Sequence, residues 1–566
     1  MKKIIGFLFC FLICTGVFAE GNTPRVEVTM PFHKGVNLSD YLEPCYVGNI
    51  GSTFYGKQDF VDIKSIGADI VRLPIHFEEW SSGKPDYIIP EWLWQKIDEA
   101  VDLCTELKLY LIIDFHNDCD GNTKTRPDIE KVLVKIWPQI ASRYKDSSEY
   151  ILYEIYNEPH MKSGNIDSDI SKWNKIQGNV LKLIRTIDTK HTVIVGAENW
   201  NNVEALLKLP DYKDDNIIYN FHDYTPFCFT HQGASWTELK DVKGIPFPYV
   251  KEKMPPLPKN ANDGAKWFYN NYEHDSNMDV LCKPLDNAVK FANKRKVALM
   301  CNEFGVNQQF ADKTERINWY KLKCQWMDER NIIRVSWDYK DKIGIFNSDR
   351  MDVQFPQDVN VKLIEAMGYK IPPNAKPRNW LTTAYKDGAY EIYRNSLAHG
   401  IYPEAWCNSK NGKPYFNLIS ENGDKYISIP GAKAYENIKF NFINTVDLTS
   451  LVNKGLCLEF EVKTVQKDFR LDVYFMNPDD EVNNPNAIPW RARINLRDKD
   501  GLNDGQWHKV RIPLKNFIDC GTWSETNNKW YNSRGLFKWN KIKKIIFDFV
   551  EKDLTEECCF RNIMIK

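Results

Sequence analysis

Between about residue 30 and residue 370, short apolar runs alternate with longer stretches in which apolar residues recur at helical spacing. The runs predict eight β-strands, because they are short and apolar at nearly every position. The predicted strands cover 34–38, 70–77, 109–116, 151–157, 192–197, 217–222, 297–303 and 332–337. Strands that are apolar on both faces need helices on both sides, which is typical of a parallel sheet.

The stretches between these runs predict amphipathic helices. One apolar stripe contains Leu93, Ile97 and Cys104, and another contains Trp173 and Val180. Eight alternating strand–helix units predict an α/β fold, a (β/α)8 TIM barrel over residues 24–370. A doubly wound open sheet is the competing topology, but no glycine-rich phosphate loop opens any of the predicted helices.

The chain changes character after a proline-rich linker at residues 371–378. Helical spacing disappears, and alternating runs such as LCLEFEV (456–462) and FRLDVYF (469–475) are separated by Asn, Asp, Gly and Pro. This pattern predicts an all-β jelly-roll sandwich domain over residues 379–566.

The N-terminus has the pattern of a secretory signal. Lys2 and Lys3 precede an apolar stretch that ends in Val-Phe-Ala at 17–19, so residues 1–19 form the predicted signal peptide, cleaved after Ala19. No later segment has the roughly 18 continuous apolar residues of a transmembrane helix. We therefore expect a secreted protein, extracellular or periplasmic, without a membrane span.

Composition narrows the classes of partner. The chain of 566 residues has 75 basic and 76 acidic side chains, so it lacks the excess of positive charge that is typical of a nucleic-acid-binding protein. Its 18 Trp and 27 Tyr exceed the needs of a core and suit the apolar faces of sugars. The 14 Cys are widely spaced, so we expect buried thiols such as Cys104 and Cys301, while disulfide pairing stays open. We expect a monomer.

Polar residues follow the apolar runs where the predicted strands end. Each alone has an ordinary explanation, as a helix cap, a loop residue or part of the core. In a TIM barrel, however, all strand ends meet at one mouth, where active sites lie. The residues at these ends are Arg72, His116, Asn117, Asn157, Glu158, His222, Tyr224, Glu303 and Trp337.

Two carboxyl groups on opposite sides of the mouth fit the chemistry of glycoside hydrolysis. One group is protonated and donates to the leaving oxygen, while the other is ionised and attacks the anomeric carbon. Glu158 and Glu303 follow the fourth and seventh strands, and Arg72 and Tyr224 would keep Glu303 ionised. A separation of about 5–5.5 Å between the carboxyl groups predicts retention of configuration.

The motifs VRLPIHF, IIDFHN, IYNEP, HDY, CNEFG and VSWDY resemble glycoside hydrolase family 5, the cellulase-type family, over about residues 30–370. The resemblance implies that Glu158 is the acid/base and Glu303 the nucleophile. It implies that Asn157 binds the 2-hydroxyl of the cleaved sugar and that Trp337 lies under that sugar. It places Arg72, His116, His222 and Tyr224 around the reacting centre.

The resemblance implies an endo-β-1,4-glucanase that hydrolyses β-glucan without a metal or organic cofactor. Xyloglucan, mixed-linkage glucan and (gluco)mannan remain alternative substrates. A catalytically silent polysaccharide-binding protein is the alternative of another class. The long segment 225–278 forms either a wall of the substrate cleft or a brace for the barrel. Trp80 and Trp200 are either sugar platforms or core residues.

The C-terminal sandwich has no acid pair at a useful spacing and resembles jelly-roll carbohydrate-binding modules, nearest to family 11. The alternation in FRLDVYF and PWRARIN points Tyr474 and Arg493 away from the core. Trp523 and Trp530 lie in an aromatic loop beside them. These four residues are candidates for a sugar-binding cleft; the alternative is a sandwich that only stabilises the barrel.

Overall fold

The computed structural model describes the chain in thirteen stretches that cover most of the barrel and much of the sandwich. They are residues 23–43, 55–116, 124–348, 353–373, 375, 385–386, 389–394, 398, 401–406, 417–421, 424–479, 487–497 and 501–566.

Eight parallel strands close into a barrel in sequence order, which confirms the predicted TIM barrel. The last strand pairs with the first, since Gly35 of β1 lies opposite Val335 of β8. The strands are β1 Lys34–Asn37, β2 Ile70–Ile75, β3 Tyr110–Phe115, β4 Ile151–Glu154, β5 Thr192–Gly196, β6 Ile217–His222, β7 Ala298–Glu303 and β8 Ile333–Ser336.

Helices surround the barrel and cover its outer face. They are α1 Lys57–Ser65, α2 Phe77–Trp80, α3 Glu91–Leu107, α4 Glu130–Tyr144, α5 Ile166–Arg185, α6 Glu198–Asn201, α7 Val203–Leu206, α8 Phe227–Thr230, α9 Asp263–Asp275, α10 Met278–Arg295, α11 Lys313–Glu329 and α12 Val361–Ala366. Their apolar stripes include Leu93, Ile97 and Trp173, which are buried against the outward side chains of the strands. This packing explains why the strands are apolar on both faces.

The barrel interior has an apolar layer below a polar layer. Ile70, Ile112, Leu152, Ile218 and Met300 form part of the apolar layer. Because side chains alternate along a strand, the residue two positions further on points to the same side. Those residues are all polar and buried: Arg72, Asp114, Glu154, Asn220 and Asn302. The polar layer therefore lies directly beneath the carboxyl ends of the strands.

The segment 225–278 contains secondary structure of its own, namely α8, α9 and a 3₁₀ turn at Lys251–Lys253. Phe229 and Phe247 are buried with ring centroids 5.1 Å apart, and Tyr272 of α9 is fully buried. Aromatic residues of segment 225–278 thus pack into the core of the barrel domain, whereas Trp267 is exposed.

The C-terminal part forms two antiparallel sheets, as the alternation predicts. One sheet contains β9 Tyr385–Lys386, β10 Ala389–Tyr393, β12 Asn417–Glu421, β13 Asp424–Ile429, β15 Cys457–Thr464, β18 His508–Pro513 and β23 Cys558–Ile565. The other runs in the order β11 Ile401–Trp406, β14 Asn437–Val446, β22 Ile542–Phe549, β16 Arg470–Met476, β17 Arg491–Arg497 and β19 Ile518–Cys520. A hairpin of β20 Thr522–Ser524 and β21 Lys529–Tyr531 follows β19, and the short helix α13 spans Thr449–Asn453.

The sandwich core forms from the inward side chains of the strands. Leu471, Val473 and Phe475 of β16 are buried in it, together with Phe547 of β22 and Phe560 of β23. The inward face predicted for FRLDVYF is therefore the observed one. The domain boundaries and the linker at 371–378, half of which lies outside the described residues, stay predictions.

Every cysteine in the described stretches is a free thiol, and Cys104 and Cys301 are buried as expected. None of the helices in those stretches combines the length and the apolar character that crossing a membrane requires.

Candidate functional site

The ends of five barrel strands bring the predicted catalytic residues to one mouth. Arg72 lies within β2, His222 and Glu303 end β6 and β7, and Trp337 follows β8. Asn157 and Glu158 lie beyond the end of β4, where the backbone of Glu158 turns into the left-handed region with φ 36°. The strand predicted for 151–157 is therefore shorter, and the pair projects from a tight turn. Asn117 lies outside the described residues.

Glu303 is buried among groups that favour its ionised form. Arg72 Nη1 donates to Oε1 over 2.6 Å, and Tyr224 Oη donates to Oε2 over 2.9 Å. Nδ1 of His222 lies 3.5 Å from Oε2. Burial alone raises the pKa of Glu303, but the positive charges of His222 and Arg72, with the Tyr224 hydrogen bond, lower it below its ordinary value. Glu303 is thus equipped to act as an ionised nucleophile.

Arg72 is itself fixed by the polar layer of the barrel. Its Nε and Nη2 form a two-pronged contact with Glu154, at 2.7 and 3.0 Å, and Nη2 lies 3.0 Å from Asp114 Oδ2. Asn37 Oδ1 accepts from Nη1 over 3.0 Å, and Asn157 Oδ1 accepts from Nη2 over 2.8 Å. A planar guanidinium held this way cannot rotate, so its contact with Glu303 is fixed in direction.

Glu158 faces Glu303 across the mouth. Its Oε1 lies 2.6 Å from Nδ1 of His222. One carboxylate oxygen of Glu158, one of Glu303 and a ring nitrogen of His222 all lie within 4.8 Å of one another. His160 supports the turn, because its Nδ1 donates to the main-chain oxygen of Glu158 over 2.5 Å.

In the described part of the chain, one group of side chains is spaced closely enough to hold a metal ion. It consists of Glu158, His222 and Glu303. Both ring nitrogens of His222 are already hydrogen-bonded, Nδ1 to Glu158 and Nε2 to Asn302 Oδ1 at 2.9 Å. A metal would have to break one of these contacts, so we assign the group to acid–base chemistry.

Asn157, His116 and Trp337 line the same mouth. Because Asn157 Oδ1 accepts from Arg72, its Nδ2 points at His116 Nε2, 3.3 Å away. Asp114 Oδ2 accepts from His116 Nδ1 over 2.7 Å. The ring of Trp337 stacks on His116 with centroids 5.7 Å apart and is partly exposed. An amide and a flat ring thus lie beside the two carboxyl groups.

The two further tryptophans differ in environment. Trp80 is only 5% exposed and donates from Nε1 to Leu42 O over 2.8 Å, so it belongs to the core. Trp200 is 36% exposed and stacks on His160 with centroids 4.8 Å apart. Its main-chain N–H donates to Pro159 O over 3.2 Å, beside the turn that carries Glu158.

Sequence reasoning did not identify Asp114, Glu154 and Asn302 as part of the site. Each is a polar residue inside a buried strand, two positions after an apolar interior residue. Buried charges need partners, so an acidic residue within an apolar strand was a usable signal. Their partners could not be identified without the register between strands.

The sandwich carries a groove of about 440 Å³ on the outer face of its second sheet. The groove is lined by Asn437, Lys439, Tyr474, Met476, Arg491, Thr522, Trp523, Glu525, Lys544, Ile546 and Asp548. Tyr474 and Trp523, two of the four predicted residues, line it; Arg493 and Trp530 are not among the lining residues. Arg493 lies 3.3 Å from Asp472 Oδ2.

The groove combines an exposed ring with a buried carboxyl group. Trp523 is 47% exposed on one wall. Tyr474 is buried in the floor, where its Oη donates to Asp548 Oδ2 over 2.8 Å and Arg491 covers its ring at 4.3 Å. Burial raises the pKa of Asp548 to about 7. Its Oδ1 has no hydrogen-bond partner among the described residues.

A parallel barrel with an ionised carboxylate and a second carboxyl group facing each other at its mouth defines a glycoside hydrolase. The family description "Cellulase (glycosyl hydrolase family 5)" matches residues 33–343, more than half of the chain. The chain belongs to glycosyl hydrolase family 5. The match ends before the sandwich.

Individual relatives match the same part of the chain. Endoglucanase C of Acetivibrio thermocellus is 32% identical over 335 residues, which cover 57% of this chain and 95% of that protein. Endoglucanase 3 of Fibrobacter succinogenes is 27% identical over 348 residues, and the match spans 58% of this chain and about half, 52%, of that protein. The crystal structure of endoglucanase Cel5A from Thermotoga maritima has 27% identity and a TM-score of 0.49, covering 59% of this chain and 96% of that one.

Tyr224→Phe should move the acidic limb of the pH profile of kcat/KM to higher pH. The nucleophile must be ionised, and the hydrogen bond from Tyr224 lowers the pKa of Glu303. A hydrogen bond to a charged group contributes about 1.5–3 kcal/mol, so we expect a shift of about one to two pH units. Tyr219→Phe is the matched control, since Tyr219 Oη donates to Pro210 O, away from the nucleophile. An unchanged acidic limb in Tyr224→Phe would contradict this role.

Proposed function

We propose that the chain is an endo-β-1,4-glucanase that hydrolyses β-glucan chains with retention of configuration. The observation that carries the proposal is the arrangement of Glu158 and Glu303, whose oxygens approach within 4.8 Å while Arg72 and Tyr224 bind the second carboxylate. This spacing fits a direct attack on the sugar and is shorter than the separation of about 6.5–9.5 Å that an inverting mechanism uses. The endoglucanase names of the relatives support β-1,4-glucan as the substrate.

In the first step, a carboxylate oxygen of Glu303 attacks the anomeric carbon while the bond from that carbon to the glycosidic oxygen breaks. Glu158 gives its proton to the departing oxygen, so the leaving chain departs as a neutral alcohol. The product is a glycosyl ester on Glu303. Esterification removes the negative charge of Glu303, which lowers the proton affinity of Glu158 and turns it into a base.

In the second step, Glu158 takes a proton from a water molecule as the water oxygen attacks the anomeric carbon. The ester bond breaks, and Glu303 leaves as a carboxylate. Two inversions give net retention. Arg72 binds the carboxylate at both ends of the cycle, which keeps Glu303 a competent leaving group.

Asn157 and Trp337 position the sugar in this proposal. Asn157 Oδ1 is engaged by Arg72, so its Nδ2 is the group that reaches the 2-hydroxyl of the cleaved sugar. Trp337, stacked on His116, offers its partly exposed face to the apolar face of that sugar.

Trp200 extends the site on the side of the leaving chain. Asn199, Trp200 and Asn201 all have positive φ, of 64°, 54° and 56°, a conformation that costs non-glycine residues of the order of 1 kcal/mol or more each. The indole is thereby held on His160, two residues beyond the acid/base. We propose that it stacks against a sugar of the departing chain.

We further propose that the groove of the sandwich binds a polysaccharide chain. Trp523 offers a platform for a sugar ring, and Asp548 Oδ1 is a buried acceptor without a partner among the described residues. A buried polar atom without a partner is costly, and a sugar hydroxyl that donates to it would remove that cost. Much of the groove lies on strands of a β-sheet, and sites built on strands are more precise than sites on loops.

The N-terminal pattern of residues 1–19 supports export, with cleavage after Ala19. We propose that the protein acts outside the cytoplasm, as a monomer, on a polysaccharide too large to be taken up. A catalytically silent protein is the less favoured function, because Glu158, Glu303 and the groups that hydrogen-bond to them are all retained.

The purified protein, assayed on carboxymethyl cellulose, mixed-linkage β-glucan, xyloglucan and glucomannan, should release reducing sugar faster from the first two than from glucomannan. Trp337 lies under a sugar whose 2-hydroxyl contacts Asn157, and an equatorial 2-hydroxyl is present in glucan but axial in mannan. Activity confined to glucomannan or xyloglucan would change the proposed substrate. Inactivity on all four would contradict the proposed function.

Glu158→Gln and Glu303→Gln should differ in their response to the leaving group. Glu158→Gln should lose about 10²–10⁴-fold activity on β-glucan but keep bond cleavage on a dinitrophenyl β-cellobioside, whose leaving group needs no proton. Glu303→Gln should lose activity on both, because no nucleophile remains. Glu459→Gln, a buried carboxylate of the sandwich, is the control. Equal losses on both substrates in Glu158→Gln would contradict its role as acid.

Trp523→Ala in the full-length Glu303→Gln protein should weaken retardation by β-glucan in affinity electrophoresis by about tenfold or more. Truncating a tryptophan at the centre of an interface costs about 2 kcal/mol or more, and 1.4 kcal/mol is a factor of ten in affinity. Ile518→Ala changes an exposed residue outside the groove and serves as the control. Unchanged retardation in Trp523→Ala would contradict binding in the groove.

A further inference from the structure

Asn302 is a buried amide that precedes the nucleophile and contacts neither reacting carboxyl group directly in the described hydrogen bonds. Its Oδ1 lies 2.9 Å from His222 Nε2, and its Nδ2 donates to Glu154 Oε2 over 2.7 Å. Asn302 therefore connects the imidazole beside Glu158 to the carboxylate that holds Arg72. Nothing in the two catalytic steps uses it.

The orientation of the Asn302 amide follows from Glu154. Both oxygens of Glu154 accept from Arg72, so the carboxylate offers only acceptor sites to Asn302. Reversing the amide would set two acceptors, the amide oxygen and a carboxylate oxygen, 2.7 Å apart. The amide nitrogen must face Glu154, and the amide oxygen must face His222.

This orientation decides which ring nitrogen of His222 carries a hydrogen. An amide oxygen accepts and cannot donate, so a 2.9 Å contact with Nε2 requires a hydrogen on Nε2. Nδ1 then lies 2.6 Å from Glu158 Oε1. One proton lies between these two atoms, either on the carboxyl group of Glu158 or on the ring.

We propose that Asn302 is a positioning residue that keeps a hydrogen on Nε2 of His222, so that Nδ1 and Glu158 share the single proton delivered to the leaving group. The inference rests on the proposed function of Glu158 as acid/base and extends it to the group that retains the proton. Asn302 acts through His222 and touches no substrate.

Asn302 retains the shared proton because the state that remains after its loss is unfavourable. With the hydrogen kept on Nε2, the lone pair of Nδ1 would face the Glu158 carboxylate. With the hydrogen moved to Nδ1, the lone pair of Nε2 would face Asn302 Oδ1. Both arrangements set two acceptors against each other within 3 Å. Asn302 thus makes loss of the proton unfavourable and keeps Glu158 a competent acid to higher pH.

The carboxylates around His222 also favour the protonated ring. Glu158 and Glu303 face Nδ1 from the ends of β4 and β7, Glu154 acts through Asn302, and Arg72 opposes them from β2. Burial lowers the pKa of His222, but the two facing carboxylates outweigh burial and raise it above its ordinary value.

The test is the alkaline limb of the pH profile of kcat/KM in Asn302→Leu. Without the amide oxygen, His222 is free to place its hydrogen on Nδ1 and donate to the Glu158 carboxylate, so the shared proton is lost at lower pH. We expect the alkaline limb to shift down by about one pH unit or more, whereas the acidic limb stays in place. An alkaline limb at the wild-type position would overturn the proposal.

Asn220→Leu is the matched control for buried packing. Asn220 Oδ1 accepts from the main-chain N–H of Asn302 over 3.1 Å, and Asn220 is as buried as Asn302. Its replacement should lower stability as Asn302→Leu does but leave the alkaline limb unchanged. A similar limb shift in both variants would mean that Asn302 acts only through packing, which would overturn the proposal.

A second measurement needs no substrate and reads the ring of His222 directly. In the wild-type protein labelled with ¹⁵N-histidine, the His222 signal, assigned by its loss in His222→Gln, should show a hydrogen bonded to Nε2 throughout the active pH range. A bare Nε2 would overturn the proposal. Because this readout is independent of activity, inactivity on every β-glucan would contradict the proposed function while the ¹⁵N signal still decides the role of Asn302.

Discussion

The site depends on one buried cation. Arg72 is fully buried, and a guanidinium in the interior is tolerated only where carboxylates and hydrogen-bond acceptors surround it. Glu154 and Asp114 provide most of that compensation, and Glu303 completes it. Glu303, the proposed nucleophile, is therefore part of the group of charges that makes the barrel interior stable. Removing one partner of such a group costs about 3–5 kcal/mol, so structure and catalysis constrain the same residues.

The two carboxyl groups to which we assign catalysis, Glu158 and Glu303, differ because their neighbours differ. Glu303 receives hydrogen bonds from Arg72 and Tyr224, which favour the charged form. Glu158 lies outside the strand on a left-handed turn, and its Oε1 lies 2.6 Å from Nδ1 of the His222 imidazole. One group thus stays ionised and the other stays close to a proton. Two glutamates can therefore take different roles because their surroundings differ, although the residue type is the same.

The sequence pattern was sufficient to predict the barrel, the order of its strands and most residues at its mouth. Apolar runs and strand ends are local features, and the closed topology then brings the ends together. The pattern could not identify Asp114, Glu154 and Asn302 as partners, because their contacts depend on inter-strand register. It also left Trp80 undecided, since exposure of one tryptophan depends on what α2 packs against. In the sandwich, alternation predicted that Tyr474 points outward but not that Arg491 covers it.

The most direct test of the double displacement is the configuration of the first product. Hydrolysis of a cellooligosaccharide followed by ¹H NMR resolves the anomeric signal of the new reducing end before mutarotation. The β-anomer should appear first, with the α-anomer growing only at the rate of mutarotation, because Glu303 attacks directly. The α-anomer appearing first would contradict the account, since it would require a water between Glu158 and Glu303.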